Sequence, residues 1–192
     1  MVNLAQRSLR GDLPADIGLV LASNEKAAGV AKARDLNLHA EVVVRKEYAD
    51  PATFSDRVFE LVRDAGCDLI CLAGFLSLLV IPEDFDGRVL NIHPSLLPAF
   101  GGKGMHGRHV HEAVIASGAK ISGCTVHLAD NQYDTGPILL QRSCPVLPDD
   151  TPESLAARVF TEECEAYPQV VAAFAQGRVR VEGQRAWIAP EA

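Results

Sequence analysis

The apolar positions of the chain change period along its length. Asn3 to Leu9 carry hydrophobic residues at helical spacing, and Gly11 and Pro14 break that helix. Ile17 to Ala22 (IGLVLA) is then an uninterrupted apolar run, which predicts a strand buried on both faces. The Ala-rich segment EKAAGVAKARDLNL, following Asn24, predicts a helix, and Glu41 to Val44 a second short strand. Asp50-Pro51 opens the next helix: Asp50 can cap it, and Pro51 suits a first turn whose N–H has no intrahelical partner anyway. Phe54, Val58, Leu61 and Val62 give that helix one apolar stripe, ending at Gly66. Asp68 to Phe75 and Arg88 to Ile92 read as further strands. Strands alternating with helices predict an α/β architecture with a parallel sheet.

Beyond residue 108 the pattern gives a helix (HVHEAVIASG), a strand (SGCTVHLA), a turn-rich loop (DNQYDTG) and a strand (PILLQRSCPV). Thr151, followed by Pro152 and Glu153, starts the longest helix, reaching about Phe174. Arg178 to Ile188 reads as a closing hairpin turned at Gly183. The expectation is one domain over residues 1–192: an open, mostly parallel sheet with helices on both faces and a C-terminal antiparallel extension.

Composition narrows the partners. The 18 Lys and Arg against 25 Asp and Glu give a net charge of −7, which disfavours nucleic acid and anionic membranes and favours small molecules. Five cysteines, an odd number without a CxxC pair, read as reduced thiols of a cytoplasmic protein. Cys67 and Cys71 lack the two further ligands that a zinc cluster requires. No apolar run is long enough to span a bilayer.

Candidate chemistry gathers at Asn91-Ile92-His93-Pro94, at the carboxyl end of a predicted parallel strand, where open α/β sheets bind ligands. Pro94 pushes His93 into an extended conformation, and alternation puts Asn91 and His93 on one side. An amide N–H and an imidazolium aimed at one point can stabilise an oxyanion. Asp134, in Tyr133-Asp134-Thr135-Gly136-Pro137, reads alone as a turn residue; beside His93 its carboxylate would raise the imidazole pKa and orient the ring. Gly101-Gly102-Lys103-Gly104 does not link a strand to a helix as a phosphate cradle must, and reads as a flexible loop at the site. His109 and His111, two apart on a helix, face different ways, so with His106 they form no metal site.

In order along the chain, LAGFLSLL (72–79), NIHPSLLP (91–98), GKGMHGRHVHEAV (102–114), SGCTVHLADNQYDTGPILLQ (122–141) and ARVFTEECEAYP (157–168) resemble the phosphoribosylglycinamide formyltransferases of purine biosynthesis. The related formyltetrahydrofolate hydrolases normally carry a second His where this chain has Pro94. The resemblance implies a Rossmann-like fold and transfer of formyl from 10-formyltetrahydrofolate, as co-substrate and without metal, to the amine of glycinamide ribonucleotide. It implies Asn91, protonated His93 and Asp134 as catalytic residues. Folate would lie against Leu72, Leu76, Ser77, Leu78, Leu79, Asn91, Asp130 and Asp134, largely through backbone groups. Asn3, Leu76, Ile92 and Glu163 would meet the nucleotide, and the protein would be a monomer or homodimer.

The chain departs from the family pattern in four places. The family begins with a strand and a Gly-rich loop that binds the nucleotide phosphate at a helix N-terminus, whereas this chain starts inside that motif, with Asn3-Leu4 matching its end. A central strand is therefore expected to be wanting, its two neighbours left with unpaired ladder groups. Ser77 and Pro51 stand where Arg is common in the family, and Phe160 where a polar residue can contact the nucleotide.

Overall fold

The helices begin and end where their local chemistry requires. In the computed structural model, which describes residues 1–191, α1 (Val2–Leu9), α2 (Ala28–Asp35), α3 (Pro51–Asp64), α4 (Arg108–Ser117) and α5 (Pro152–Ala175) all match helical segments expected from the sequence. The Asp50 side chain accepts the Thr53 N–H at 2.8 Å and caps α3. At the head of α5, Thr151 Oγ1 accepts from the Ser154 N–H at 3.2 Å while Ser154 Oγ accepts the Thr151 N–H at 3.0 Å, closing a capping box. Gly118 ends α4 at a φ of +74°, open to glycine at no steric cost.

The strands are β1 (Val20–Ala22), β2 (Ala40–Val42), β3 (Ile70–Leu72), β4 (Val89–His93), β5 (Ile121–Leu128), β6 (Ile138–Pro145), β7 (Val179–Glu182) and β8 (Arg185–Ile188). β1 pairs with β2 and β3 with β4, both in parallel; β5 and β6 continue the β3–β4 sheet antiparallel, and β7–β8 is the expected hairpin. Helices cover both faces, as adjacent residues of β4 show. Leu90 packs into an apolar cluster with α4 and α5 residues such as Val110, Leu155 and Val170, while Val89 packs into another with Phe54, Phe59 and Val62 of α3. Alternation along one strand thus feeds two cores.

One expectation is corrected. Ile17–Ala22 and Asp68–Phe75 were expected as full strands, the first buried on both faces; only Val20–Ala22 and Ile70–Leu72 are strands, and Val20, Leu21 and all three β3 residues are half-buried. Burial of an apolar run depends on a neighbour in the sheet, and here the edges of β1 and β3 have none. Between them lies a cavity of about 1210 Å³, bordered by Leu19, Leu21, Leu69 and Cys71.

Candidate active site

The site is built around the carboxyl end of β4. His93 is buried, Asn91 half-buried, and both side chains leave the strand on the same face, as alternation requires. The antiparallel register sets Asn91 opposite His127 and His93 opposite Thr125 on β5.

The loop between β5 and β6 returns Asp134 to this point. Asp134 has a φ of +59°, a left-handed conformation that Asp tolerates. Gly136 is forced: a Cβ there would run into the Leu128 carbonyl. Asp130 organises the loop, accepting from the Gln132 N–H at 2.9 Å and from the Thr135 hydroxyl at 2.8 and 2.9 Å.

Asp134 Oδ2 lies 3.4 Å from His93 Nδ1 and accepts the Gly102 N–H at 2.9 Å. Its Oδ1 accepts from Asn91 Nδ2 at 3.3 Å. The three residues singled out from the sequence therefore form one constellation. His127 completes it: Nδ1–H donates to the Leu128 carbonyl at 2.9 Å, leaving Nε2 to accept from Asn91 Nδ2 at 3.1 Å. Both amide N–H groups of Asn91 are thus held, one by His127 and one by Asp134.

Across the ring, His93 Nε2 donates to the Phe100 carbonyl at 2.8 Å. Phe100 has a φ of +55°, so the segment delivering that oxygen is strained. Gly101 and Gly102, expected as a mobile loop, wrap Asp134 closely; a Cβ on Gly101 would collide with the Leu97 side chain and press on Asp134. Thr125 anchors the chain before them. Its hydroxyl donates to the Ser95 carbonyl at 2.7 Å, and its oxygen accepts the Leu97 N–H at 3.0 Å and Gln141 Nε2 at 2.9 Å.

Electrostatics here need one correction. Asp134 was expected to keep His93 charged near neutral pH. Burial is the larger influence and takes the His93 pKa below its ordinary 6.5, although Asp134 and the Phe100 carbonyl both oppose it. For Asp134, burial pushes upward, but the bond from the Gly102 N–H and the neighbouring His93 and His127 rings outweigh it, and the carboxyl sits below its ordinary range.

The other expected contacts divide. Leu76 is 55% exposed beside the half-buried Ser77 and Leu78, whereas Leu79 is buried in the core, so its side chain cannot face a ligand. Asn131 Oδ1 accepts the Ile81 N–H at 2.8 Å and ties that segment to the Asp134 loop. Leu72 turns its carbonyl to the Tyr167 hydroxyl at 2.9 Å. Ile92 points to the opposite face of the sheet from His93, towards the α5 side. Glu163 on α5 lies on that side too, near Cys124 and the Met1 amine, and burial lifts its pKa to about 7. Asn3 spends its amide on the Cys164 carbonyl at 2.7 Å, joining α1 to α5. Phe160 is 60% exposed.

Sequence reasoning missed His127, Thr125 and Gln141 as parts of the site. A usable signal existed: His127 and Thr125 sit at alternate positions of a predicted strand, the spacing that Asn91 and His93 share. Among the described residues no group of three His, Cys, Asp or Glu side chains could hold a metal ion, and no helix is long and apolar enough to cross a membrane.

Comparison with known proteins identifies the family. Residues 2–171 match the family model described as formyl transferase. A chloroplastic phosphoribosylglycinamide formyltransferase of Vigna unguiculata is 41% identical over 92% of this chain and 57% of its own length, so the chain spans little more than half of that relative. The Haemophilus influenzae phosphoribosylglycinamide formyltransferase is 33% identical over 93% of this chain and 82% of its own. The crystal structure of glycinamide ribonucleotide transformylase 1 from Symbiobacterium toebii superposes with a TM-score of 0.92 at 35% identity, covering 98% of this chain and 88% of that one. With the family model spanning most of its length, the chain belongs to the formyl transferase family.

Proposed function

We propose that the protein transfers the formyl group of 10-formyltetrahydrofolate to the amine of glycinamide ribonucleotide. The observation that carries the reading is the convergence of Asn91, His93 and Asp134 at the carboxyl end of β4, in a chain whose relatives bear that activity in their names.

The chemistry follows from what each group can do. Attack of the amine on the formyl carbon places negative charge on the formyl oxygen, which needs donors already in position. His93 Nε2 already faces an oxygen at 2.8 Å, that of Phe100; the formyl oxygen takes this place when the strained segment yields. Asn91 supplies a second donor by giving up its longer bond, the one to Asp134 at 3.3 Å, while His127 keeps the amide oriented. Negative charge on the oxyanion then favours the imidazolium, opposing the burial that lowers the His93 pKa. Asp134 steadies Nδ1 through the step, and the proton leaves for the folate nitrogen through His93 or a water that it orients. Folate is received by the exposed Leu76 edge and the backbone of residues 76–79 and 130–136; Glu163 and Ile92 serve the nucleotide.

The test is purified protein with 10-formyltetrahydrofolate and a panel of small amines at fixed folate. Formyl transfer to glycinamide ribonucleotide with the highest kcat/KM is expected. A higher kcat/KM for another amine would reassign the substrate, and no transfer to any amine would remove the reading.

A further inference from the structure

A crevice between the β7–β8 hairpin and the Asp134 loop is not used by the proposed chemistry, although Asp134 borders both. Its volume is about 570 Å³, within the range of small-molecule pockets. Alternation along β8 builds it. Ala186 and Ile188 pack against the core cluster, so Arg185 and Trp187 leave the strand on the other face; both line the crevice, with Gln184 of the turn before them. Leu97, Pro98 and Ile138 give the lining its apolar surface. Leu97 is fixed at both backbone groups, its N–H by the Thr125 hydroxyl at 3.0 Å and its carbonyl by Gln141 Nε2 at 2.9 Å, so this part is rigid. Thr135 and Gly136 complete the lining.

The side chains of Gln184, Arg185 and Trp187 carry N–H donors that meet no acceptor among the described residues. Glu182 stands opposite Arg185 in the hairpin register, yet no ion pair joins them. Asp134 commits its oxygens to Asn91, Gly102 and His93, which leaves the Arg185 cation as the unengaged charge of the lining. Donors around one cation select an anion. A bare inorganic anion would leave the indole, Leu97, Pro98 and Ile138 wet. A neutral ring would cover them and leave Arg185 to water. A flat aromatic ring bearing a carboxylate meets both needs: the Trp187 indole, 38% exposed, offers a ring to stack on, and the guanidinium offers a planar fork to the acid.

From these features we infer that the crevice is a binding site for a planar aromatic carboxylate, held by Trp187 and Arg185 of β8 against the Leu97–Pro98 segment. Its occupant meets Thr135 and Gly136, the two residues that directly follow Asp134. The inference stands apart from the proposed reaction.

Trp187 is the only tryptophan of the chain, so its indole N–H gives one cross-peak in a nitrogen–proton correlation spectrum and reports on the crevice directly. Titration of the unaltered chain with benzoate should move that peak saturably, together with the amides of Thr135 and Gly136. Neutral benzamide should bind at least tenfold more weakly than benzoate, and Arg185→Ala should weaken benzoate binding at least tenfold. A folate also carries a benzoyl acid, and repeating the titration with saturating tetrahydrofolate separates the two sources. Benzoate that still binds marks a site for a separate aromatic acid; benzoate that is displaced marks the benzoyl-glutamate end of the folate. Four results would each overturn the inference: no saturable shift at millimolar benzoate, the same shift with sulfate, octanoate binding as tightly as benzoate, or unchanged affinity in Arg185→Ala. The first three are read on the unaltered chain, so a misfolded variant would not shield the idea, and none of the readouts uses turnover.

Discussion

The two ends of the sheet are finished to different standards. Along β4 and β5 most side chains are buried, and the polar ones of the site are paired: Asn91 with His127 and Asp134, Thr125 with Ser95, Leu97 and Gln141, Asp134 with Gly102. Around β1 and β3 equally apolar sequence is only half-buried, with a void between the strands. What differs is that β4 and β5 have a paired neighbour on both edges, whereas β1 and β3 are each paired on one edge only. The comparison teaches that the Asn91, His93 and Asp134 constellation is assembled where β4 and β5 are paired on both edges.

The largest effect should come from the complete region. Asp134→Asn removes the carboxylate that orients His93 and should lower kcat by about 10²–10⁴-fold with little loss of stability. It should also move the pH profile. A proton-donating His93 is active below its pKa and loses activity as pH rises through it; that pKa lies below the ordinary 6.5, and Asp134 is one of the groups holding it up. The falling limb of kcat/KM should therefore shift to lower pH in Asp134→Asn. A limb that stays in place would detach Asp134 from the titration.

A pair of core substitutions measures the contrast in packing. Leu155→Ala, in the fully buried cluster under β5, should cost about 2–5 kcal/mol in urea unfolding. Leu21→Ala, beside the void, should cost clearly less, because its side chain is only half-buried. Equal costs would mean that the cavity between β1 and β3 closes in solution.

Glu163 gives a smaller effect of opposite sign. Burial raises its pKa from the ordinary 4.5 to about 7, so the folded chain holds this proton more tightly than the unfolded chain. Its contribution is fully favourable below pH 4.5 and is lost as pH rises to about 7. Glu163→Gln should accordingly stabilise the protein at pH 8 by about 1–3 kcal/mol relative to its effect at pH 4.5, as thermal melts at the two pH values would show.

Much of this was legible in the sequence for physical reasons. Caps at Asp50 and Thr151, the glycine stop at Gly118 and the turn at Gly183 are local signals, and each helix or hairpin follows them. The shared face of Asn91 and His93 is equally local, set by the two-residue period of a strand. Asp134 was legible only through resemblance, because its approach to His93 depends on the β5–β6 register and on a left-handed backbone 41 residues further along the chain. His127 was overlooked because a histidine inside an apolar strand looks like filler until its partner across the ladder is known. The His93 pKa was misjudged for a related reason: a carboxylate neighbour can be guessed from a motif, whereas the degree of burial cannot.

The central claim is that His93 donates to the oxyanion of a formyl transfer. Single-turnover transfer from 10-formyltetrahydrofolate to glycinamide ribonucleotide, by the unaltered chain and by His93→Ala, tests it most directly. The account predicts a rate about 10²–10⁴-fold lower in the variant with folate binding retained. A variant that transfers formyl at close to the unaltered rate would contradict it.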